Sequence, residues 1–219
     1  RDGGGMSPDT AAILEVSGVV KRFGGFHALD GLSFHVSPGE VLGLVGPNGA
    51  GKTTAINVIS GLDEPDAGSV SFTQTQVGGM ASHKLVHLGI NRTFQVPKPF
   101  MSLTVKQNVE VARTYGGAAD KAPPVADLVE EYRLGEVANR QASDLTNAQQ
   151  KMLDLVRALA TQPKLLLLDE LAAGLNPTEL DWIAGRIKAL AQGGLAIIVV
   201  EHLMGFIEQI TDRVIVMNA

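Results

Sequence analysis

The stretch Gly46-Pro47-Asn48-Gly49-Ala50-Gly51-Lys52-Thr53-Thr54 limits what this chain can fold into more than any other. The apolar run Val41-Leu42-Gly43-Leu44-Val45 precedes it, and Ala55-Ile56-Asn57-Val58-Ile59-Ser60 follows it. That order is strand, tight glycine loop, helix, the setting in which a G-x-x-x-x-G-K-[ST] run holds phosphate. Glycine lets the backbone reach positive φ and come close to a ligand. Successive N–H groups then point into one concavity, at the positive end of a new helix. Lys52 is expected to reach the β- and γ-phosphates of a nucleotide, and the Thr53 hydroxyl to ligate Mg²⁺. A glycine-rich turn can also merely join strand to helix. The Lys-Thr pair and the preceding strand speak against that.

The 219 residues suffice for one large α/β domain or a domain with a small insert. An apolar fraction of 45% permits a buried core. The net charge of −5, with no long basic block, argues against a nucleic-acid partner. The absence of cysteine excludes disulfides, thiolate metal sites and a cysteine nucleophile, and fits a reducing compartment. No apolar stretch approaches the roughly 18 residues of a membrane-spanning helix; Leu165 to Leu168 is only a strand core. Arg1-Asp2-Gly3-Gly4-Gly5 has no apolar region behind it, so 1–11 reads as a disordered lead or an expression remnant rather than a signal peptide. A cytoplasmic location is expected, with any membrane role supplied through a partner. The chain stops at Met217-Asn218-Ala219, directly after a strand, which suggests a trimmed C-terminus.

A first strand region covers Ala12–Val16 and Val19-Val20, and Leu32–Val36 alternates as a half-exposed strand does. The helix from Lys52 ends near Gly61, and Ser69–Phe72 is a short strand. A short helix is expected over Ser82–Leu88 and a strand over Ile90–Gln95. Pro97 and Pro99 break regular structure after it. Helical patterns follow at Val105–Thr114 and Val125–Tyr132, joined by the linker Gly116–Pro124. The expected division is an α/β core over 12–94 and 145–219 carrying a mostly helical insert over 95–144. In the second core segment a helix runs from Asn147 to about Thr161, with Met152, Leu155, Val156 and Leu159 on one face. Lys164–Asp169 and Leu195–Val200 read as buried parallel strands. Pro177 opens a helix, another covers Leu203–Ile210, and Arg213–Met217 is the last strand.

Leu165-Leu166-Leu167-Leu168-Asp169-Glu170 supplies the acidic partner that a phosphate loop requires. The strand places Asp169 at its C-terminal edge, where α/β folds bind ligands. Asp169 can hold Mg²⁺ through water, and Glu170 can orient and polarise an attacking water. Val199-Val200-Glu201-His202 repeats this architecture, so His202 can contact the γ-phosphate or the water. Gln95, read as a strand end, can offer its carbonyl to Mg²⁺. Taken alone, a histidine or glutamine of this kind is more often structural.

Together these residues resemble the ATP-binding subunit of an ABC transporter over nearly the whole chain. The order is the phosphate loop, the Phe94-Gln95 pair, a signature-like Leu145-Thr146-Asn147-Ala148-Gln149-Gln150, Leu168-Asp169-Glu170 and Glu201-His202. Asn91-Arg92-Thr93-Phe94-Gln95, Met101-Ser102-Leu103-Thr104-Val105 and Ala172-Ala173-Gly174-Leu175-Asn176-Pro177 look like the branched-chain amino-acid importer subgroup. The resemblance implies a P-loop NTPase fold: a mostly parallel sheet, an N-terminal antiparallel β region and a helical insert. It implies Mg²⁺-dependent ATP hydrolysis, with Glu170 and His202 catalytic and Phe23 stacked on adenine. Gln95 would touch Mg²⁺ and relay motion to transmembrane permease subunits, whose coupling helix Val96–Phe100 would receive. Thr146, Asn147, Ala148 and Gln149 would contact ATP held by a second ATPase subunit, identical or paralogous, and Ala173–Pro177 would meet that subunit. A solute-binding protein would be an indirect partner, and the chain would sit peripherally on the cytoplasmic face of the inner membrane.

Two positions depart from the family pattern. Ala148 stands where a glycine is usual, and would cost on the order of 1 kcal/mol if the site requires positive φ. Leu171 stands where proline is usual, which frees one N–H and loosens φ. Both lie beside the chemistry, so an ATP-binding interaction module with little hydrolysis is the rival reading. An ATPase of another transporter subclass is a further one. A chromosome-type ATPase is disfavoured because no long coiled-coil insert interrupts the chain.

Overall fold

The computed structural model describes residues 12–117 and 122–218. The anticipated 1–11 lead lies outside them, as does the middle of the Gly116–Pro124 linker. The strands are β1 (Leu14–Phe23), β2 (Phe26–Val36), β3 (Val41–Val45), β4 (Ala67–Phe72), β5 (Thr75–Gln76), β6 (Ile90–Arg92), β7 (Leu165–Asp169), β8 (Ala196–Val200) and β9 (Arg213–Val216). The helices are α1 (Lys52–Ile59), α2 (Ser82–Leu88), α3 (Val105–Tyr115), α4 (Val125–Glu131), α5 (Asn147–Leu159), α6 (Pro177–Gln192) and α7 (Met204–Ile210). Two 3₁₀ turns, Gly135–Val137 and Ala142–Asp144, lie between α4 and α5.

Five strands form a parallel sheet in the order β6-β7-β8-β3-β9, and four form an antiparallel sheet in the order β2-β1-β4-β5. Every residue of β3, β7 and β8 is buried. Strand side chains alternate between faces, and the core divides accordingly. Val41, Leu166, Leu168, Ile197 and Val199 pack with apolar residues of α3–α7. Leu42, Leu44, Leu165, Leu167, Ile198 and Val200 pack with α1, α2 and the antiparallel sheet. The helices between β6 and α5 share the first of these cores with α5 and α6.

Parallel strands point their C-terminal ends to one edge. The loops after β3, β6, β7 and β8 therefore emerge together, and they carry the phosphate-loop run, Thr93–Gln95, Glu170 and Glu201-His202. The sheet topology alone thus gathers residues separated by more than a hundred positions.

The strand expected over Ile90–Gln95 ends at Arg92 instead, so Gln95 lies in the loop beyond it. Thr93 still donates its N–H to Leu167 O at 2.9 Å. The next N–H, of Phe94, is taken by the buried carboxylate of Asp154 at 2.9 Å, and the chain turns away from the sheet. β2 begins six residues earlier than Leu32, and the short β5 was not anticipated.

Candidate functional site

The phosphate-loop run leaves β3 and enters α1 through Gly51, whose φ is 87°. A Cβ there would lie 2.3 Å from the Ala28 carbonyl oxygen of β2, so side-chain bulk is excluded as well as strained. α1 has no acidic residue in its first turn, so the partial positive charge of its N-terminus is not offset locally. Ala50 is buried behind the loop and donates its N–H to Pro47 O at 3.2 Å. Lys52 is buried, and its ammonium donates to Gly46 O and Pro47 O, both at 2.8 Å. An ammonium has three donors; two shape the loop, and the third remains for an anion.

A cleft of about 660 Å³ opens in front of this loop. Asn48, Gly49, Gly51, Lys52, Thr53 and Thr54 form one wall, and Gln95, Glu170 and His202 form another. Phe23 and Phe26 stand over the cleft from the β1–β2 hairpin. They are directly paired across the Gly24-Gly25 turn, and both rings are half exposed or more. Phe26 was missed in the sequence, although its position across a two-glycine turn from Phe23 carries the signal.

Glu170 joins the loops. Its Oε1 lies 3.0 Å from His202 Nε2, and its Oε2 accepts from Gln95 Nε2 at 2.8 Å. Each carboxylate oxygen has two lone pairs, so both retain capacity for a water. Its backbone has φ 51°, the left-handed region, which is costly for a residue with a Cβ.

Asp169 is 1% exposed and lies behind the cleft wall rather than on it. Its Oδ2 accepts from Arg92 Nη2 at 3.1 Å. Its Oδ1 is buried with no hydrogen-bond partner among the described residues. Burial pushes its carboxyl above the usual range, while Arg92 pulls it down. Arg92 also donates to Asn57 Oδ1 at 2.8 Å, to Ser60 Oγ at 3.1 Å and to Thr93 O at 3.1 Å. Sequence reading noticed Arg92 only as part of a motif, because nothing local links it to Asp169. Oxygen donors from Thr53, Gln95 and Asp169 suit a hard cation that keeps several waters, as Mg²⁺ does. The partnerless Oδ1 of Asp169 fits a water-mediated role.

Thr146, Ala148 and Gln149 lie elsewhere, in a second pocket of about 200 Å³ with Tyr132, Leu175 and Trp182. Asn147, exposed next to them, places its amide nitrogen 3.7 Å from where a Cβ on Gly174 would be. The signature-like stretch and the Ala173–Pro177 segment therefore share one surface, apart from the chain's own phosphate loop. Thr146 caps α5: its Oγ1 accepts from Gln149 N–H at 3.2 Å, and Gln149 Oε1 accepts from Thr146 N–H at 3.0 Å. The hydroxyl proton of Thr146 remains available. Ala148 lies in the first turn of α5 and is not among the described residues with positive φ. The strain that alanine would cause at a left-handed position does not arise here. Leu171 is buried in the helical core.

The ABC transporter family pattern matches residues 29–173. The high-affinity branched-chain amino acid transport ATP-binding protein BraF of Pseudomonas aeruginosa is 35% identical over 224 residues, covering 94% of this chain and 88% of that protein. The Nod factor export ATP-binding protein I of Burkholderia thailandensis is 37% identical over 211 residues, covering 95% of this chain and 69% of that protein. The solved ADP conformation of an ATP-binding cassette of an ABC transporter has a TM-score of 0.83 and 34% identity, covering 95% of this chain and 88% of that one.

Proposed function

The chain belongs to the ABC transporter family, and we propose that it is the ATP-binding, ATP-hydrolysing subunit of an importer for branched-chain amino acids. The observation that carries the reading is the Glu170 carboxylate, held between Gln95 and His202 across one cleft from the phosphate loop. The solute class rests on BraF, which matches along most of its length.

Phe23 stacks on adenine. The N–H groups of Gly46–Thr54 and the third proton of Lys52 hold the phosphates. Thr53 and Gln95, with Asp169 through water, would hold Mg²⁺. The cation, when bound, neutralises phosphate charge and fixes its geometry. Glu170 orients the attacking water, and His202 holds the γ-phosphate end of the site. Thr146, Asn147, Ala148 and Gln149 face ATP on a second ATPase subunit, which accounts for their position away from this chain's own loop. Val96, Phe100 and Met101 are exposed beyond Gln95 and receive the permease subunits. A solute-binding protein acts indirectly, through those permeases. No helix among the described residues is long and apolar enough to cross a membrane, so attachment at the cytoplasmic face of the inner membrane is through the permeases.

Phosphate release by wild type and by Glu170→Gln tests the reading, together with sizing in saturating Mg·ATP. Turnover is expected to vanish in the variant, and ATP to hold it as a dimer. Equal and substantial turnover by the two proteins would overturn the assignment of Glu170. A second reading, an ATP-dependent interaction module with little hydrolysis, draws on Ala148 and Leu171; it predicts negligible turnover in both proteins. The export protein's similarity keeps another transporter subclass in view for the solute alone.

A further inference from the structure

Four backbone groups within 170–173 are tied down by neighbours. The Lys151 ammonium donates to Glu170 O at 2.6 Å and to Ala173 O at 2.7 Å. Glu201 Oε1 accepts from Ala172 N–H at 2.6 Å, and Glu170 N–H donates to Val200 O at 2.9 Å. Lys151 and Glu201 are both about 95% buried or more, and neither lines the nucleotide cleft. Burial lowers the Lys151 pKa and raises that of Glu201; each charge offsets the effect on the other.

Two buried ionisable groups are a poor way to gain stability, since an apolar pair of similar volume often does as well. What they secure is a conformation. Glu170 is left-handed, and such a backbone persists only where its surroundings over-determine it. We propose that Lys151 and Glu201 are positioning residues that clamp the 170–173 backbone and so aim the Glu170 carboxylate between Gln95 and His202. Lys151 stands two residues beyond the Thr146–Gln149 stretch on α5. The clamp therefore also ties the partner-facing end of α5 to the segment that carries Glu170. The proposal rests on the reading of Glu170 given above.

Lys151→Met removes both donors while leaving the cleft lining intact. Because a misplacement of about 1 Å can cost about 100-fold in rate, its kcat is expected to fall about 10- to 100-fold. KM and calorimetric Mg·ATP affinity are expected to stay at wild-type values, as for an interaction needed only in the transition state. Lys151→Arg, which keeps N–H donors, is expected to regain part of the loss. A purely structural role would instead lower affinity and thermal midpoint along with kcat. If Lys151→Met does not fold, Lys151→Leu, which also lacks a donor, takes its place under the same criteria. Wild-type kcat in the folded variant, with Glu170→Gln inactive, would overturn the clamp alone. Wild-type kcat in Glu170→Gln would overturn the reading of Glu170, and the clamp's part in turnover with it.

Discussion

Replacing Arg92 by methionine tests the electrostatics behind the cleft. The guanidinium is partly buried and bonds Asp169, Asn57, Ser60 and Thr93. Its loss leaves the Asp169 carboxylate, 1% exposed, with no charge partner in direct contact among the described residues. Removing one member of a buried pair costs about 3–5 kcal/mol, because an uncompensated charge remains. Urea unfolding at pH 8 is expected to show that loss as a lower midpoint at unchanged slope. The pH dependence follows from Asp169. Burial already holds its folded-state pKa above the ordinary value, and Arg92 is the main opposing influence. Without Arg92 the folded pKa rises further, so the folded variant binds a proton that the unfolded chain does not. Its stability then falls as pH climbs from the unfolded pKa toward the folded one. The deficit is therefore smaller at pH 5 than at pH 8. Adding Asp169→Asn should restore much of the stability and abolish this pH dependence. A loss under about 1 kcal/mol, equal at both pH values, would contradict the 3–5 kcal/mol expected of a buried pair.

Gly51→Ala meets the Ala28 carbonyl in a left-handed conformation; a loss of at least about 1–2 kcal/mol is expected on denaturant unfolding, and wild-type stability would contradict the loop geometry. Ala148→Gly is expected to lower stability by about 0.5–1 kcal/mol, the usual cost of glycine in a helix. If Ala148 meets a second subunit's nucleotide as proposed, turnover should rise, because the methyl there is gone. A gain in stability would show that Ala148 is strained after all.

The sequence revealed the elements whose signals are local. β3 and α2 match their expected bounds, because an apolar run before a glycine loop and a short helical pattern before Gly89 are both self-contained. The end of β6 was not legible, since it depends on Asp154 capturing Phe94 N–H from sixty residues away. Gln95, Glu170 and His202 were expected around one nucleotide, from their strand-edge positions and the family resemblance, but their direct hydrogen bonds to one another were not; the parallel sheet supplies that contact. Arg92, Lys151 and Glu201 escaped for a common reason. A charged residue in a helix or at the end of a strand reads as solvent-facing, and its burial depends on chain segments far away in sequence. Ala148 shows the reverse error: a departure from a family motif suggested strain, and the helix of α5 accommodates it without any.

The most direct measurement is calorimetric titration of the folded chain with Mg·ATP, for wild type and for Lys52→Met. Saturable binding at one site per chain is expected in wild type, with affinity sharply reduced in the variant. No heat in wild type, or equal affinity in both, would contradict a nucleotide held at Gly46–Thr54.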